Sequence, residues 1–467
     1  MSHAANDLIA AVVTPPGEGG LGAIRVAGEG AVGAVLPFLC WHDTTRIEWP
    51  AFQLRYGAFV APGSARRGEA ALDEITAVWT PRGKSYTGDE QVEIFTHGGQ
   101  FALRAVLEAL CLSGDIRPAE PGEFTKRAFL SGRIDLSRAE AVAEIISAKS
   151  DFAYRAAREH LFGAVEATVS RLRAELTHVA AMIEAYVDFP EEDIEPDDFT
   201  VLTDQIGRCE TTLAQLADSY RVGAFVREGF RVALCGRPNA GKSSLFNALL
   251  RKNRAIVSPT PGTTRDYLSE WITLDGFAVQ ITDTAGQREE ADAVERIGQE
   301  FARAMSRDAH LTLWVVDIAD ADWRRVLPEN MSHLDMLRTI IVANKTDLSP
   351  VDAVSMVPTH PTPRQVSLSC KTGVGLADVE RVIVSDIHAR MPDLTDGLIV
   401  TSARQARKLS QARDAISEAR AGLARGESPE IVALDVRVAL GALDEITGRV
   451  YTEDILGEIF SSFCVGK

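Results

Sequence analysis

Cysteine is scarce and scattered in this chain of 467 residues. The six cysteines show no metal-ligand spacing; they are Cys40, Cys111, Cys209, Cys235, Cys370 and Cys464. Such a scatter does not indicate a cysteine-based zinc site, and it fits reduced thiols in the cytosol.

Long apolar runs and positive charge are also lacking. No run approaches the ~18–20 apolar residues that span a membrane, and no charged–apolar–small signal segment opens the chain, so we expect a cytoplasmic protein without a membrane partner. The net charge is -17, which disfavours indiscriminate nucleic-acid binding; any RNA contact requires a local basic patch. A chain of this length predicts two to four domains.

The segment Gly236–Ser243 has the pattern G-x-x-x-x-G-K-S of a phosphate-binding loop. The apolar run Phe230–Leu234 predicts a buried strand before it, and Ser244–Leu250 predicts a helix after it. This order aims main-chain N–H groups and a helix N-terminus at an anion. We expect Lys242 to reach the terminal phosphates and Ser243 to hold Mg²⁺ through its hydroxyl.

A second apolar strand, Phe277–Ile281, leads to the segment Asp283–Gly286. An aspartate at the end of a strand that faces the phosphates can hold Mg²⁺ through water. The amide of Gly286 can contact a γ-phosphate and be released on hydrolysis.

Two further strand ends indicate guanine. Asn344–Asp347 follows the predicted strand Thr339–Ala343, and Asp347 can accept both the ring N–H and the exocyclic amine of guanine. Adenine lacks that pair of donors and would leave a buried carboxylate unpaired. Ser369–Lys371 follows the strand Gln365–Leu368 and suits a loop whose N–H reads the guanine oxygen. The order and spacing of these segments predict a GTPase domain.

The remainder of the chain divides into an α+β part and a helical part. The α+β part has a glycine-rich turn at Gly17–Gly22 and a predicted helix at Phe101–Leu112. The turn is not a dinucleotide fingerprint, because a strand rather than a helix follows it. The predicted strands of this part are Leu8–Val13, Ala23–Val26, Ile75–Trp79 and Gln91–Phe95. Amphipathic helical spacing runs through Ser137–Val187, breaks at the acidic, proline-containing segment 191–198, and returns in Ser402–Leu423 and Pro429–Ile446.

We therefore predict a multidomain α/β and α protein, in which a P-loop, Ras-like GTPase domain is inserted into a helical domain built from two chain segments. The predicted ranges are 1–120 for the α+β domain, 121–220 and 385–467 for the two helical segments, and 221–384 for the GTPase domain.

Several further motifs are specific enough to suggest a family. They are Thr14–Gly20, Ser85–Glu90, His97–Gly99, Pro121–Phe129 and the closing Phe463–Lys467. With the GTPase motifs, they make the chain resemble the MnmE (TrmE) family of tRNA modification GTPases over essentially its full length.

The resemblance implies a function and its partners. The family works with the flavoprotein MnmG (GidA), in a heterotetramer or larger complex, to add a carboxymethylaminomethyl or aminomethyl group to C5 of the wobble uridine of certain tRNAs. A tetrahydrofolate derivative, 5-formyl or 5,10-methylene, supplies the one-carbon unit, and FAD belongs only to the partner. The family is a homodimer through a folate-binding-like N-terminal domain. Its GTPase domains pair during hydrolysis, and K⁺ replaces the arginine finger of other GTPases.

The resemblance also implies site residues. Potassium ligands match Asn239, Ser258, Thr260 and Thr263, while Thr264 completes the Mg²⁺ shell of Ser243 and Asp283. The full predicted GTP-binding set is Asn239, Ala240, Gly241, Lys242, Ser243, Ser244, Ser258, Pro259, Thr260, Pro261, Gly262, Thr263, Thr264, Asp283, Thr284, Ala285, Gly286, Asn344, Lys345, Asp347, Ser369, Cys370 and Lys371. Folate contacts match Arg25, Glu93, Arg133 and Lys467, whose charges suit an anionic glutamate tail and the N–H donors of a pterin.

We assign catalysis to Lys242. The resemblance adds Glu295, which matches the glutamate that orients the attacking water in the family. From the sequence alone, Glu295 is an ordinary carboxylate on a helix surface. Gln287 departs from the family, which usually has an apolar residue there, and Ras-like GTPases place their water-positioning glutamine at this point. Gln287 either shares the catalytic role or points away, and the complete potassium set favours the second interpretation.

Other residues allow two interpretations. Cys464 is either a nucleophile or, as we favour, a buried thiol that seats a flexible C-terminal tail. The locally basic stretch of Lys126, Arg127, Arg133 and Arg138 is either an RNA contact or a solvated helix face.

Two other functions remain as alternatives. One is a regulatory GTPase switch whose N-terminal domain only dimerises. The other is a ribosome-assembly GTPase, which would predict a basic RNA-binding appendage that is not visible in the sequence.

Overall fold

A computed structural model describes residues 7–45, 48–60, 71–188, 196–253, 268–283, 309–320, 323, 335–348, 364–391 and 398–467. The chain separates into two compact units. The first comprises Met1–Ala143, His160–Ile206 and Glu418–Lys467, and the second comprises Glu144–Glu159 and Gly207–Ser417. Because this division cuts through helices, the domain boundaries predicted from the sequence stay predictions.

The first unit contains a mixed sheet with the strand order β3-β4-β5-β6-β2-β1-β7. Neighbouring strands are antiparallel except β1 and β7. The strands are β1 (Leu8–Val12), β2 (Gly19–Ala27), β3 (Leu39–Trp41), β4 (Arg55–Val60), β5 (Ala71–Thr80), β6 (Gln91–Gly98) and β7 (Ile116–Pro118). Helices α1 (Ala31–Val35) and α2 (Gln100–Leu112) accompany the sheet. The four predicted strands and the predicted helix are confirmed, and β3, β4 and β7 are additional.

The predicted turn Gly17–Gly22 is wrong in extent, because β2 already begins at Gly19. Gly22 lies within the strand, where a Cβ would come within 2.7 Å of the Leu103 side chain on α2. That glycine therefore permits close packing of a helix on the sheet and does not form the turn.

Helices make up the remainder of the first unit in the described part of the chain, and four of them are divided between the two units. They are α3 (Glu123–Leu130), α4 (Leu136–Ser147), α5 (Asp151–Leu161), α6 (Ala164–Asp188), α7 (Pro196–Glu228), α10 (Ala403–Arg425), α11 (Pro429–Thr447) and α12 (Glu453–Ser461). Ion pairs join α11 to α6 at Asp444–Arg173 and Arg437–Glu184. The predicted helices are confirmed, but the predicted break extends too far, since Pro196 begins α7. Proline fits a first helical turn because the N–H that proline lacks would have no acceptor within the helix at that position.

The second unit contains a sheet with the order β13-β12-β11-β8-β10-β9. Its elements are β8 (Phe230–Cys235), α8 (Lys242–Asn253), β9 (Leu268–Leu274), β10 (Phe277–Asp283), β11 (Leu311–Asp317), β12 (Thr339–Asn344), β13 (Arg364–Ser367) and α9 (Leu376–Arg390). Strands β8 and β10 to β13 run parallel, whereas β9 pairs antiparallel with β10. Apolar side chains from this sheet, α8 and α9 form one core. The predicted GTPase strands are confirmed, and the class, an α/β P-loop domain combined with helical and α+β parts, agrees with the prediction.

None of the helices in the described part of the chain is long and apolar enough to cross a membrane.

Candidate functional site

The parallel strands of the second unit end at one edge of the sheet. Residues that follow β8, β10, β12 and β13 therefore meet there, as expected for strands that run in the same direction. The sequence segments predicted to bind phosphate, magnesium and base all follow these four strands.

The loop after β8 has the main-chain geometry of an anion cradle. Gly236 and Gly241 have φ of 140° and 100°, and Asn239 has φ of 64°. A Cβ on Gly236 would lie 2.2 Å from the Val315 carbonyl oxygen, so only glycine fits between β8 and β11. Asn239 is exposed at the tip of the loop, and asparagine tolerates its left-handed conformation better than most residues.

Lys242, the first residue of α8, is buried beneath this loop. Its Nζ donates hydrogen bonds to the carbonyl oxygens of Gly236 at 3.0 Å and Arg237 at 2.8 Å. Burial lowers the pKa of Lys242, and the nearby Asp283 carboxylate opposes that change. The loop thus holds a cation at its centre, which is the charge that a phosphate requires.

A hydroxyl and a carboxylate meet beside the loop. Ser243 Oγ donates to Asp283 Oδ2 at 2.7 Å, and Asp283 is only 1% exposed at the end of β10. Oxygen ligands of these two types are those that Mg²⁺ takes in nucleotide sites. The pair fits a magnesium ion that is held directly by the serine and through water by the aspartate.

Asn344 joins the phosphate loop to the loop after β13. Its Nδ2 donates to the Ala240 carbonyl at 2.9 Å, and its Oδ1 accepts from the Cys370 N–H at 3.1 Å. A Cβ on Gly241 would lie 2.0 Å from the Asn344 Nδ2. The asparagine is 2% exposed, and it positions two loops that come from distant parts of the chain.

Asp347 presents its carboxylate at the same edge. Ser369 Oγ donates to Asp347 Oδ1 at 2.7 Å, and this hydrogen bond is the main reason that the pKa of Asp347 is lowered. The carboxylate is therefore ionised near neutral pH and able to accept two N–H donors. Lys345, with φ of 69°, pairs with Asp317 at the end of β11.

Part of the predicted site lies outside the described residues. The predicted positions concerned are Ser258, Pro259, Thr260, Pro261, Gly262, Thr263, Thr264, Thr284, Ala285, Gly286, Gln287 and Glu295. Among the described residues, the strand ends, the loops and the helix start at this edge contain Asn239–Ser244, Asp283, Asn344, Lys345, Asp347 and Ser369–Lys371.

A second cluster lies on the sheet of the first unit. Arg25 on β2 is paired in register with Glu93 on β6, and Arg25 Nη2 donates to Glu93 Oε1 at 2.8 Å. The guanidinium carbon lies 5.5 Å from the ring centroids of Tyr86 and Phe124. Gln91 Nε2 also donates to Glu93 Oε1, at 3.2 Å, while the buried Gln91 Oε1 has no hydrogen-bond partner among the described residues.

The C-terminal residues lie against this cluster. Phe124 N donates to the Lys467 carbonyl at 3.1 Å, and a Cβ on Gly466 would lie 2.3 Å from the Val12 carbonyl oxygen. Burial and the charge of Arg25 lower the pKa of Lys467. The structure thus brings Arg25, Glu93 and Lys467 together.

Two further residues with a predicted role are Arg133 and Cys464. Arg133 is exposed, and its Nη1 donates to the Gly83 carbonyl at 3.0 Å, so its contact is with the loop between β5 and β6. The prediction of a buried Cys464 is wrong, because its thiol is exposed. The tail is seated instead by buried Phe463 and by main-chain contacts, including the Gly122 N–H to the Cys464 carbonyl.

The basic stretch also has a structural role. Arg127 is 8% exposed and donates to Asp7 and Glu123, so it is not part of a solvated helix face. Lys126 pairs with Glu453, and Arg138 pairs with Asp135.

Sequence reasoning missed Asp317 and Gln91. Asp317 ends a mostly apolar strand next to the predicted nucleotide site, which is a signal that the sequence contains. Gln91 lies two residues before Glu93 on β6, so strand alternation places both side chains on one face, and the sequence contains this signal too.

This fold and site define a P-loop GTPase with an additional α+β and helical part. Protein-family models described as "GTP-binding protein TrmE N-terminus" and "MnmE helical domain" match residues 8–133 and 136–464. The chain belongs to the MnmE family of tRNA modification GTPases.

Curated relatives match throughout. Proteins named tRNA modification GTPase MnmE from Symbiobacterium thermophilum and Akkermansia muciniphila are 40% and 41% identical to this chain; the matches cover 99% and 98% of both partners, respectively. The protein of that name from Carboxydothermus hydrogenoformans is 38% identical over 99% of both chains.

Proposed function

We propose that the chain hydrolyses GTP and acts in the modification of tRNA. The observation that carries the first part is the convergence of four loops at one sheet edge, where Asn344 bonds to both the phosphate loop and the predicted base loop. The second part is supported by the name shared by relatives that match almost the entire chain.

The predicted site residues divide the work on the nucleotide. Lys242 neutralises the terminal phosphates, Ser243 and Asp283 position Mg²⁺, and Asp347 selects guanine through its two acceptor oxygens. Thr264 completes the Mg²⁺ shell, and Glu295, alone or with Gln287, orients the attacking water. Asn239, Ser258, Thr260 and Thr263 would hold K⁺, and the ion would supply the positive charge that an arginine finger supplies in other GTPases.

The reaction that this GTPase serves is proposed to be modification of C5 of a wobble uridine. In this proposal a homodimer of the chain acts in the cytoplasm with an MnmG-type flavoprotein, which carries FAD, and a tetrahydrofolate derivative supplies the one-carbon unit. GTP hydrolysis drives pairing of the GTPase domains and a conformational change.

The second cluster fits the folate. Glu93 and the unpartnered Gln91 Oε1 offer acceptors to the N–H groups of a pterin, while Arg25 and Lys467 offer positive charge to its anionic tail. Arg133 extends the basic surface from the loop at Gly83. Calorimetry with 5-formyltetrahydrofolate tests this site: Arg25→Gln should lose folate binding while GTP binding is unchanged.

The experiment that tests the GTPase mechanism compares hydrolysis in matched KCl and NaCl at two protein concentrations. We expect strong activation by K⁺ that grows with the population of dimers. Asn239→Gly is the informative variant, because glycine retains the left-handed backbone while the side-chain amide, with its oxygen, is removed. It should bind GTP normally and lose the difference between the two salts.

Equal rates of hydrolysis in the two salts for the unmodified chain would refute the potassium mechanism. They would favour Gln287 as the residue that positions the attacking water. Loss of the gene with unchanged wobble-uridine modification, measured by mass spectrometry of tRNA, would refute the role in modification and leave a regulatory GTPase.

A further inference from the structure

A row of arginines lies along the edge of the second sheet that is opposite to the nucleotide site. Arg231 lies on β8, Arg338 immediately precedes β12, and Arg364 begins β13. Arg227, in the last turn of α7, and Arg390, at the end of α9, flank these positions. We call these five residues the arginine row.

Strand register brings the row together. Leu311 pairs with Val232, Thr312 with Thr339, and Ile340 with Arg364, so the amino ends of β8, β11, β12 and β13 are aligned. Neighbouring strands lie about 4.8 Å apart, and the four strands therefore place the row over roughly 14 Å. That length exceeds the separation of successive phosphates along a nucleic-acid strand.

The row retains exposed positive charge after its ion pairs are formed. Its side chains are 26% to 51% exposed. The carboxylates that pair with it are Glu228, Asp335 and Asp386. Asp386 is buried and pairs with both Arg364 and Arg390, so among the residues that the structure describes the ion pairs of the five arginines involve three carboxylates.

The charges of the arginine row affect the pKa of the neighbouring His310. Its Nδ1 accepts a hydrogen bond from the Arg231 N–H at 3.0 Å, which requires an unprotonated nitrogen. Burial, and then the charges of Arg231, Arg390 and Arg338, lower the pKa of His310 to about 4. The three arginine charges thus act on His310 in the same direction as burial, and the Asp386 carboxylate opposes them.

The nucleotide does not account for this charge, because GTP is proposed to bind at the carboxyl ends of the same strands. We propose that the arginine row binds the phosphate backbone of the tRNA substrate. This inference rests on the proposed function in tRNA modification. A polyanion is the partner that an exposed row of arginines fits, since each guanidinium can donate two parallel hydrogen bonds to phosphate oxygens.

The test is tRNA binding by the full-length chain at several KCl concentrations. The variant is Arg231→Gln with Arg338→Gln, because both side chains pair with exposed carboxylates and their loss leaves no buried charge. Arg364 and Arg390 are left intact, because both pair with the buried carboxylate of Asp386. The matched control is Arg381→Gln with Arg413→Gln, which removes two arginines that also pair with exposed aspartates elsewhere in the second unit.

We expect the dissociation constant for tRNA to rise about tenfold in the variant. The plot of log affinity against log salt concentration should become shallower by about one to two units of slope, because one or two phosphate contacts are lost. GTP hydrolysis should be unchanged, and the control should bind as the unmodified chain does. Equal tRNA binding by variant and unmodified chain would overturn the inference while leaving the proposed function intact. Weaker binding of the flavoprotein with unchanged tRNA binding would overturn it in favour of a protein partner. Absence of tRNA binding by the unmodified chain would refute both proposals.

Discussion

The side-chain amide of Asn344 donates a hydrogen bond to the main-chain carbonyl of Ala240 at 2.9 Å. The two residues are 104 positions apart in the chain, and one belongs to the predicted base segment whereas the other belongs to the phosphate loop. The contact means that the two halves of the nucleotide site are fixed relative to each other before a nucleotide arrives. Such preorganisation lowers the cost of ordering the site on binding.

The first prediction concerns this contact. Asn344→Ala leaves the Ala240 carbonyl and the Cys370 N–H without their partner, and each unsatisfied buried group costs about 1–3 kcal/mol. We expect a lower thermal midpoint and weaker GTP binding, measured by calorimetry. Asn253→Ala, which removes an amide at the end of α8 that donates to Glu380 on α9, is the matched control. Normal GTP affinity of the Asn344 variant would contradict a linking role.

The second prediction concerns selection of the base. Asp347→Asn replaces one carboxylate acceptor with a donor and removes the negative charge. A hydrogen bond to a charged group contributes about 1.5–3 kcal/mol, so GTP affinity should fall roughly 10- to 150-fold while ATP affinity stays weak. Asp378→Asn, on the surface of α9, serves as the control. If both variants bind GTP equally well, Asp347 does not read the base.

The third prediction separates backbone strain from side-chain crowding. Gly229 and Gly373 both have φ of 81°, but a Cβ on Gly229 would lie 2.5 Å from the Trp271 ring, whereas a Cβ on Gly373 has no neighbour within 4 Å. Replacement of either glycine by alanine costs about 1–2 kcal/mol in the left-handed region. Gly229→Ala should lose roughly 1–3 kcal/mol more, because Trp271 must move.

Urea unfolding followed by tryptophan fluorescence measures this difference. Lys149 Nζ lies 3.8 Å above the Trp271 ring, so the emission of this tryptophan should also change in the Gly229 variant. Equal losses of stability for the two alanine variants would show that the contact with Trp271 is relaxed without cost.

The nucleotide site was largely predictable because its signals are local. The phosphate loop is a continuous segment between a strand and a helix, and each further segment directly follows an apolar run. Parallel strand direction then brings the segments to one edge. Short strands such as Leu39–Trp41 and Ile116–Pro118 were missed, since three residues are too few for a periodic pattern.

The remaining features depend on register and long-range contacts. Glu93 meets Arg25 only through the pairing of β2 with β6. The arginine row consists of residues that are isolated in the sequence and aligned only across four strands. Cys464 is exposed because the neighbouring Phe463 occupies the buried position, which composition alone does not indicate.

The fourth prediction concerns acid stability of the first unit. Glu123 accepts two hydrogen bonds from Arg117, at 2.8 and 2.6 Å, and one from Arg127 at 2.9 Å. Burial raises the pKa of Glu123, but the hydrogen bonds from Arg117, the Glu120 N–H and Arg127 outweigh it and lower the pKa from 4.5 to about 2. The carboxylate is therefore more acidic in the folded chain than in the unfolded chain.

It follows that Glu123 stabilises the fold fully above about pH 4.5 and that this contribution is lost as the pH falls toward 2. A shift of this size corresponds to roughly 3 kcal/mol near neutral pH. Glu123→Gln should lower the thermal midpoint at pH 7, and its difference from the unmodified chain should shrink below pH 4. Glu453→Gln, which removes an exposed partner of Lys126, should have little effect at any pH. A difference for Glu123→Gln that stays constant from pH 7 to pH 2.5 would mean that packing, rather than the ionised carboxylate, stabilises this position.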